Sequence, residues 1–374
     1  MAFISLCITS FRNLSNAKIN IAAKEVFLIG KNGQGKTNFL EALYYCSYAS
    51  SFRGVKDSEL VRKGEKSFSA IAELNTLQNN MSCLDRHISI KTENLKKSIT
   101  LDGKKILDRK NLLKIIPTII FCHEDMEFVS GSQERRRWFF DQTQSLYDPV
   151  YLDDLRKYRR ILKTRNTVLK NAKTGRNCLN TVDLLDALDP QLAEYGLRLM
   201  EKRDAAVKQF SAVFSPLYED VSGISGITIK YAPSWKTTKA IQQITDYRTA
   251  DMTQGITVSG PHRDKYFFLR SDPEGDFSGN ASTGQRRLLA LLLRVAQARC
   301  FTGLTGKTPV LLLDDVLLEL DGEKRRRFLS VMPDYEQAFF AFLPEEPYKD
   351  YCKPGTLVFQ VNSGIITGEK AESI

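Results

Sequence analysis

Gly30-Lys31-Asn32-Gly33-Gln34-Gly35-Lys36-Thr37 fits the phosphate-binding loop pattern G-x-x-x-x-G-K-[ST] at every fixed position. Its glycines let successive backbone N–H groups turn inward around phosphate oxygens, Lys36 brings a point charge, and the Thr37 hydroxyl suits a Mg²⁺ ion. Val26-Phe27-Leu28-Ile29 before the loop reads as a short buried strand. Residues 38–45 after it read as a helix whose N-terminus faces the anion. A flexible Gly-rich turn would give the same string, but the strand before and the helix after favour a nucleotide site. The expectation is an ATP-binding α/β protein with Gly30, Lys31, Asn32, Gly33, Gln34, Gly35, Lys36, Thr37 and Asn38 around the phosphates.

Far downstream, Pro309-Val310-Leu311-Leu312-Leu313-Asp314-Asp315 is an apolar run that ends in two carboxylates. A central parallel strand reads this way, and its carboxyl end is where an α/β sheet places chemistry. Beside a phosphate loop, Asp314 is expected to hold Mg²⁺ with Thr37, and Asp315 to orient or deprotonate an attacking water, with Lys36 completing the catalytic pair. Before that strand, Ala281-Ser282-Thr283-Gly284-Gln285-Arg286-Arg287 opens a helical run with small residues and a serine. A helix start of this kind presents free N–H groups to an anion.

The remaining composition sets limits. Hydrophobic residues make up 42% and charged residues 26%, as in an ordinary globular protein. Fifty-four Lys+Arg against 44 Asp+Glu give a net +10, which suits acidic partners such as nucleic acid without demanding them. Seven cysteines stand singly, at 7, 46, 83, 122, 178, 300 and 352, with no C-x-x-C and no metal-ligand spacing to the three histidines. The first ten residues alternate apolar and polar as a strand does, and no apolar run approaches the ~20 residues a bilayer requires. These features predict a cytoplasmic protein with no membrane partner.

Strands are expected near residues 3–10, 17–22, 25–29, 68–74, 88–91 and 115–121. Beyond 124, Tyr151, Leu155, Tyr158, Leu162 and Leu169 form one helical stripe, and Leu188, Leu192, Tyr195, Leu199, Ala206, Phe210 and Val213 another. The polar segment 171–177 between them predicts an antiparallel helical arm. Strand-like alternation returns near 226–230 and 256–270, followed by a polar loop at 271–280. The nucleotide lobe is thus expected to be split, 1–121 with 309–374, around a mainly helical second lobe, 122–308.

In this order the elements resemble those of the RecF family, bacterial DNA-repair ATPases of the ABC type, over nearly the whole chain. Phe11-Arg12-Asn13, Phe52-Arg53, Asp57, Leu60, Gly64, Glu124-Asp125, Val129, Gly131, Arg135-Arg136, Tyr158, Arg165-Asn166, Gly260-Pro261-His262-Arg263-Asp264 and Glu319-Leu320-Asp321 carry the resemblance. It implies an ABC-ATPase head in which Arg12 also contacts nucleotide. It further implies that Ser282, Thr283, Gly284 and Gln285 form a signature motif that closes in trans on the ATP of a second copy. The expected function follows from it: an ATP-dependent homodimer that clamps DNA near single-strand/double-strand junctions in recombinational repair. It would help load recombinase mediators of the RecO/RecR type and reset by slow ATP hydrolysis.

Three positions depart from the family pattern. Cys122-His123 replaces Ser-Pro, Thr283 takes the second signature position, and residues 337–343 lack the usual Thr-rich or His switch, which predicts slow turnover. Two readings of the Gly260–Asp264 block stay open, a structural turn and a functional element.

DNA binding needs a cationic surface, and Arg136, Arg156, Arg159, Arg160 and Lys163 supply candidates, the last four on neighbouring helical turns. A solvated helix face is the competing reading. The rival functions are the ATPase subunit of an ABC transporter and an SMC-type structural head. The Phe-Arg-Asn element and the Gly-Pro-His-Arg-Asp block argue against the first, and the short heptad-like runs against the second.

Overall fold

The strand before the phosphate loop is a middle strand of a six-stranded sheet, and its five residues are all buried. The structure is a computed structural model that describes residues 1–75, 85–93, 96–175, 180–236, 239–271, 274–317 and 322–370. Internal packing divides the chain into two units, Met1–Asp125 with Phe301–Ile374, and Met126–Cys300. The breaks fall at 125/126 and 300/301, a few residues from the expected 121/122 and 308/309.

The first unit begins with β1 (Ala2–Thr9), β2 (Ala17–Asn20), β3 (Glu25–Ile29), α1 (Lys36–Tyr48), β4 (Ser67–Asn75) and β5 (Arg86–Glu93). There follow β6 (Lys96–Leu101), β7 (Lys104–Lys105), α2 (Lys110–Ile115) and β8 (Thr118–Phe121). After the second unit the chain returns to it with β12 (Val310–Leu313), α11 (Gly322–Ser330), β13 (Gln337–Phe342), β14 (Leu357–Asn362) and β15 (Ile365–Lys370). One sheet is antiparallel, in the order β2-β1-β4-β5-β6-β7; the other runs β15-β14-β3-β13-β12-β8, parallel but for β15. Strands β3, β8, β12 and β13 are buried throughout, which is why they read as unbroken apolar runs rather than alternations. Glu25, Thr118 and Gln337 are the polar exceptions, and Gln337 is a fully buried amide that joins the two sheets. Its Oε1 accepts from Phe3 N at 2.8 Å, and its Nε2 donates to the carbonyls of Phe3, Ile21 and Ala23.

The second unit holds α3 (Met126–Val129), α4 (Gln133–Tyr147), α5 (Pro149–Lys173), α6 (Thr181–Ser222), β9 (Ile227–Ala232), α7 (Ala240–Asp246) and α8 (Arg248–Gln254). It continues with β10 (Lys265–Ser271), β11 (Glu274–Asp276), α9 (Phe277–Asn280) and most of α10 (Thr283–Thr305). Strands β9, β10 and β11 form a small antiparallel sheet. Asp148 starts α5 by accepting from the N–H groups of Val150 and Tyr151, with Pro149 at the first helical position. Arg165 late in α5 meets Asp189 early in α6, and Asp148 at the start of α5 meets Lys202 further along α6, so the two helices are antiparallel. Between them lies a core of Tyr151, Leu155, Tyr158, Leu192, Ala193, Leu199 and Met200. Helix α10 is long and apolar enough to cross a bilayer, but most of its apolar residues are buried inside the protein, as in a core helix.

Two sequence expectations need correction here. Strand alternation over 256–270 yields only β10, because Gly260 sits at φ 128° and Pro261 follows it, so residues 261–263 form a 3₁₀ turn. The polar stretch 271–280 is not a plain loop, since it contains β11 and α9. Residues 176 and 177, at the end of the segment expected to separate the arm helices, and Glu319-Leu320-Asp321 lie outside the described residues.

Candidate nucleotide site and basic face

Buried β3 delivers the chain into the loop, and the loop needs its glycines. A Cβ on Gly30 would meet the carbonyl oxygen of Val361 at 2.4 Å, and Gly33 and Gly35 adopt φ of 77° and 120°. Lys36 opens α1 with its side chain buried, and its Nζ donates to Gly30 O at 2.7 Å and Lys31 O at 3.4 Å. The same ammonium stands 3.5 Å from Asp315 Oδ1, just past the end of β12. Thr37 Oγ1 donates to Asp314 Oδ1 at 2.8 Å. Loop, helix start and strand end therefore converge, and Lys36, Thr37, Asp314 and Asp315 face one another.

The electrostatics are those of a site short of positive charge. Burial, reinforced by Asp315 and Glu124, raises the Asp314 carboxyl to about 7, although its bond from Thr37 and the charge of Arg53 oppose the shift. Burial also raises Asp315 against the pull of Lys36. Asp315 Oδ1 has no hydrogen-bond partner, and the residue holds φ 51°. These features fit a hydroxyl–carboxylate pair that would receive a divalent cation between Thr37 and Asp314.

The surrounding positions divide. Lys31, Asn32 and Gly33 are exposed at the loop's tip. Asn38 Nδ2 donates to Asn13 Oδ1 at 2.7 Å, and Asn13 reaches Gly33 O, so the Phe-Arg-Asn element is tied to the loop through its asparagine. Arg12 is engaged elsewhere, with Nε and Nη2 on the fully buried Glu41 of α1 at 3.0 and 3.2 Å; Arg53 lies 3.6 Å from the same carboxylate. In the second unit, Ser282 and Gln285 form a reciprocal capping box: Gln285 N donates to Ser282 Oγ at 3.2 Å, and Ser282 N to Gln285 Oε1 at 2.8 Å. Thr283 is exposed, as is Gly284, whose missing Cβ would meet open space.

Two contributions to the site escaped the sequence reading. The β14–β15 turn braces the loop: Gly364 N donates to Gln34 O and Ser363 N to Gln34 Oε1, and a Cβ on Gly364 would collide with Asn13 O at 1.9 Å. Beyond β13, where the family switch is missing, Glu346 accepts from Leu343 N at 2.7 Å through Oε2 and leaves Oε1 unpartnered. Its carboxyl is raised, first by burial, and Asp315 and Lys36 both act on its charge. A pocket-sized acid beside a phosphate loop has no family pattern to announce it.

Of the five DNA candidates, four share one helix. On α5, Arg156, Arg159, Arg160 and Lys163 are all exposed. Arg156 pairs with Asp153 at 3.8 Å, and Arg159 with Asp141 at 3.3 Å. Arg136 is a correction. It is buried in α4, donating to Tyr266 O at 2.9 Å, Val129 O at 2.6 Å and Ser278 Oγ at 3.0 Å, so its charge is spent inside the unit. Its spacing from Phe139, Phe140 and Thr143 on the buried face of α4 was the available signal. Arg165 is likewise buried and joins α5 to Asp189, Asp251 and Thr257.

A phosphate loop after a central strand, a carboxylate pair ending another apolar strand of the same sheet, and a capped helix start before that strand in the chain define an ATPase head of the ABC type. Residues 3–352 match the family model described as RecF/RecN/SMC N terminal domain. The DNA replication and repair protein RecF of Treponema pallidum is 42% identical, with 95% of this chain and 98% of that protein covered. Its counterpart in Leptospira interrogans serogroup Icterohaemorrhagiae serovar Lai is 30% identical, with 99% and 98% covered. A solved structure described as the recombination mediator protein RecF-ATP in the RecFOR pathway superposes with a TM-score of 0.87 at 29% identity, covering 98% of this chain and 97% of that one. An Smc head domain derived from Pyrococcus furiosus, at 15% identity, TM-score 0.56 and 98% and 96% coverage, shares the fold. The chain belongs to the RecF family.

Proposed function

We propose that this protein is an ATP-switched DNA-binding protein of recombinational repair and replication-fork maintenance that works in the cytoplasm. The observation that carries the reading is the convergence of Lys36, Thr37, Asp314 and Asp315 at the end of the central strands. The loop N–H groups and Lys36 hold the triphosphate, and Thr37 and Asp314 hold Mg²⁺, which when bound offsets phosphate charge. Asp315, one of whose oxygens accepts no hydrogen bond and faces Lys36 at 3.5 Å, is placed to orient the attacking water. Ser282 and Gly284 stand exposed at a helix start, so they can be lent to the ATP of a second copy.

Closure of two heads would bring the basic faces of α5 to duplex DNA near single-strand gaps, with contacts to phosphates rather than bases. Loading of RecO/RecR-type mediators is carried over from the family and from the pathway named for the solved relative. The transporter and SMC alternatives have less support, because the relatives at 42% and 30% identity are DNA replication and repair proteins. Light scattering and fluorescence anisotropy on gapped DNA, each with ATP and with ADP, test the switch. ATP should double the mass and tighten DNA binding; equal mass and equal affinity with both nucleotides would refute it.

A further inference from the structure

The Gly260-Pro261-His262-Arg263-Asp264 block has no part in the nucleotide site, and four of its five residues are turned inward. Gly260, at φ 128°, fits against Trp235 and the Tyr158 hydroxyl, where a Cβ would come within 2.8 Å of both. Pro261 O accepts from Arg203 Nη1 at 2.7 Å. The His262 ring bridges Tyr158 Oη, at 2.8 Å, and Thr257 O, at 2.9 Å. Asp264 accepts from Arg203 Nη1 at 2.8 Å, from Ser234 N at 2.7 Å and from the Tyr231 hydroxyl, while its carbonyl accepts from Arg137 Nη1. Arg263 alone is exposed, and its side chain makes no hydrogen bond or ion pair among the described residues.

The block is also fastened to the basic face of α5. Arg159 bonds Asp141, Asp141 bonds Arg203 at 2.8 Å, and Arg203 bonds Asp264, while Tyr158, one residue before Arg159, bonds His262. Charge around this cluster does not cancel. Arg137, Arg159, Arg203 and Arg263 face the carboxylates of Asp141 and Asp264 and the outlying Glu134. Arg263 and, on α5, Arg160 and Lys163 are exposed to solvent. A turn whose other polar groups are bonded inside the unit and which projects one unpaired guanidinium is suited to a fixed polyanion, since its backbone is held and the planar fork of an arginine matches phosphate oxygens.

We propose that the Gly260–Asp264 block is a pedestal presenting Arg263 as a phosphate-contact residue, extending the basic face of α5 onto a second element of the same unit. The proposal rests on the DNA-binding reading above and names a contact that reading lacks.

The test uses the full chain with ATP and Mg²⁺, anisotropy on a short duplex with a single-stranded tail over a range of salt, and Arg263→Ala, Arg263→Lys and Arg263→Glu variants. Arg263→Ala is expected to weaken binding roughly tenfold and to reduce the slope of log affinity on log salt by about one. Arg263→Lys should recover most of the loss and Arg263→Glu should exceed it, with the melting temperature of all three unchanged because the side chain is exposed. Unchanged affinity and slope in Arg263→Ala, while Arg159→Glu with Lys163→Glu still weakens DNA binding, overturns the pedestal and leaves the DNA reading intact. Equal loss in the Ala and Lys variants with a lowered melting temperature assigns Arg263 to the fold and also overturns it. A wild-type protein that binds no DNA with ATP removes both the reading and the proposal.

Discussion

The carboxylates beside Lys36 are half-buried and those around Arg203 fully buried, and the two sets are treated in opposite ways. Arg203 is saturated: Nε, Nη1 and Nη2 all donate, to Asp141, Asp264 and Pro261 O, and both carboxylates take further donors. Near the phosphate loop, Asp315 Oδ1, which meets Lys36 only as a 3.5 Å ion pair, and Glu346 Oε1 accept no hydrogen bond, and burial raises the Asp314 carboxyl to about 7. Leaving a buried polar atom unsatisfied costs about 1–3 kcal/mol. A fold tolerates that where a ligand completes the set, and avoids it where the charges only hold helices together. The first pattern marks a site and the second a frame.

The contrast breaks most sharply at Arg203. Removing it leaves Asp141 and Asp264 buried without their cation, and breaking such a pair costs about 3–5 kcal/mol. Arg203→Ala should therefore lower unfolding stability by that amount in a denaturant titration. A loss below about 1 kcal/mol would show that the network is not the frame of the second unit.

At the site the effect is on ligand rather than stability. Lys36→Ala should cut ATP affinity about a hundredfold, roughly 2.7 kcal/mol, with little change in unfolding stability without nucleotide. Ser282→Ala should leave ATP binding by the separate chain intact and prevent ATP-driven dimerisation. Calorimetry with ATP and light scattering read the two, and a Ser282→Ala protein that still dimerises would remove the signature role.

Local pattern was enough for the parts of this fold whose partners are close in sequence or strictly periodic. The loop at 30–37 sits between its own strand and helix, and the run 309–313 could only be a strand buried on both faces. What stayed hidden depends on distant partners. Nothing near Gln34 announces that Ser363 and Gly364 will brace it, or near Arg203 that Asp141 and Asp264 will close on it. Arg136 was misjudged because a run of three arginines says nothing about which one faces inward; the helical spacing to Phe139 and Phe140 does. The Gly260–Asp264 block resisted reading for the same reason, since its bonds run to Tyr158, Arg203 and Tyr231 on three other elements.

The frame should also respond to acid through His262, in the opposite sense to the raised carboxyls of the site. Burial pushes the His262 imidazole down to about 4, helped by the charges of Arg263, Arg137 and Arg203 and opposed by its bond to Thr257 O. The unfolded chain takes up that proton near the usual 6.5, so between about 6.5 and 4 the unfolded state binds more protons than the folded one. The contribution of His262 must then fall as pH falls through that window, whereas the Asp314 carboxyl, raised to about 7, contributes in the opposite sense. Going from pH 7.5 to 5.5 should cost about 1 kcal/mol from this group alone. Asp264, raised by burial, acts in the opposite sense, from its unfolded value near 3.8 up to its folded one. His262→Gln should lower stability at pH 7.5, because the bridge from Tyr158 to Thr257 is lost, and flatten the change down to pH 5.5. A variant whose stability falls as steeply as the wild type would place the acid sensitivity elsewhere and deny the block its neutral, fully bonded histidine.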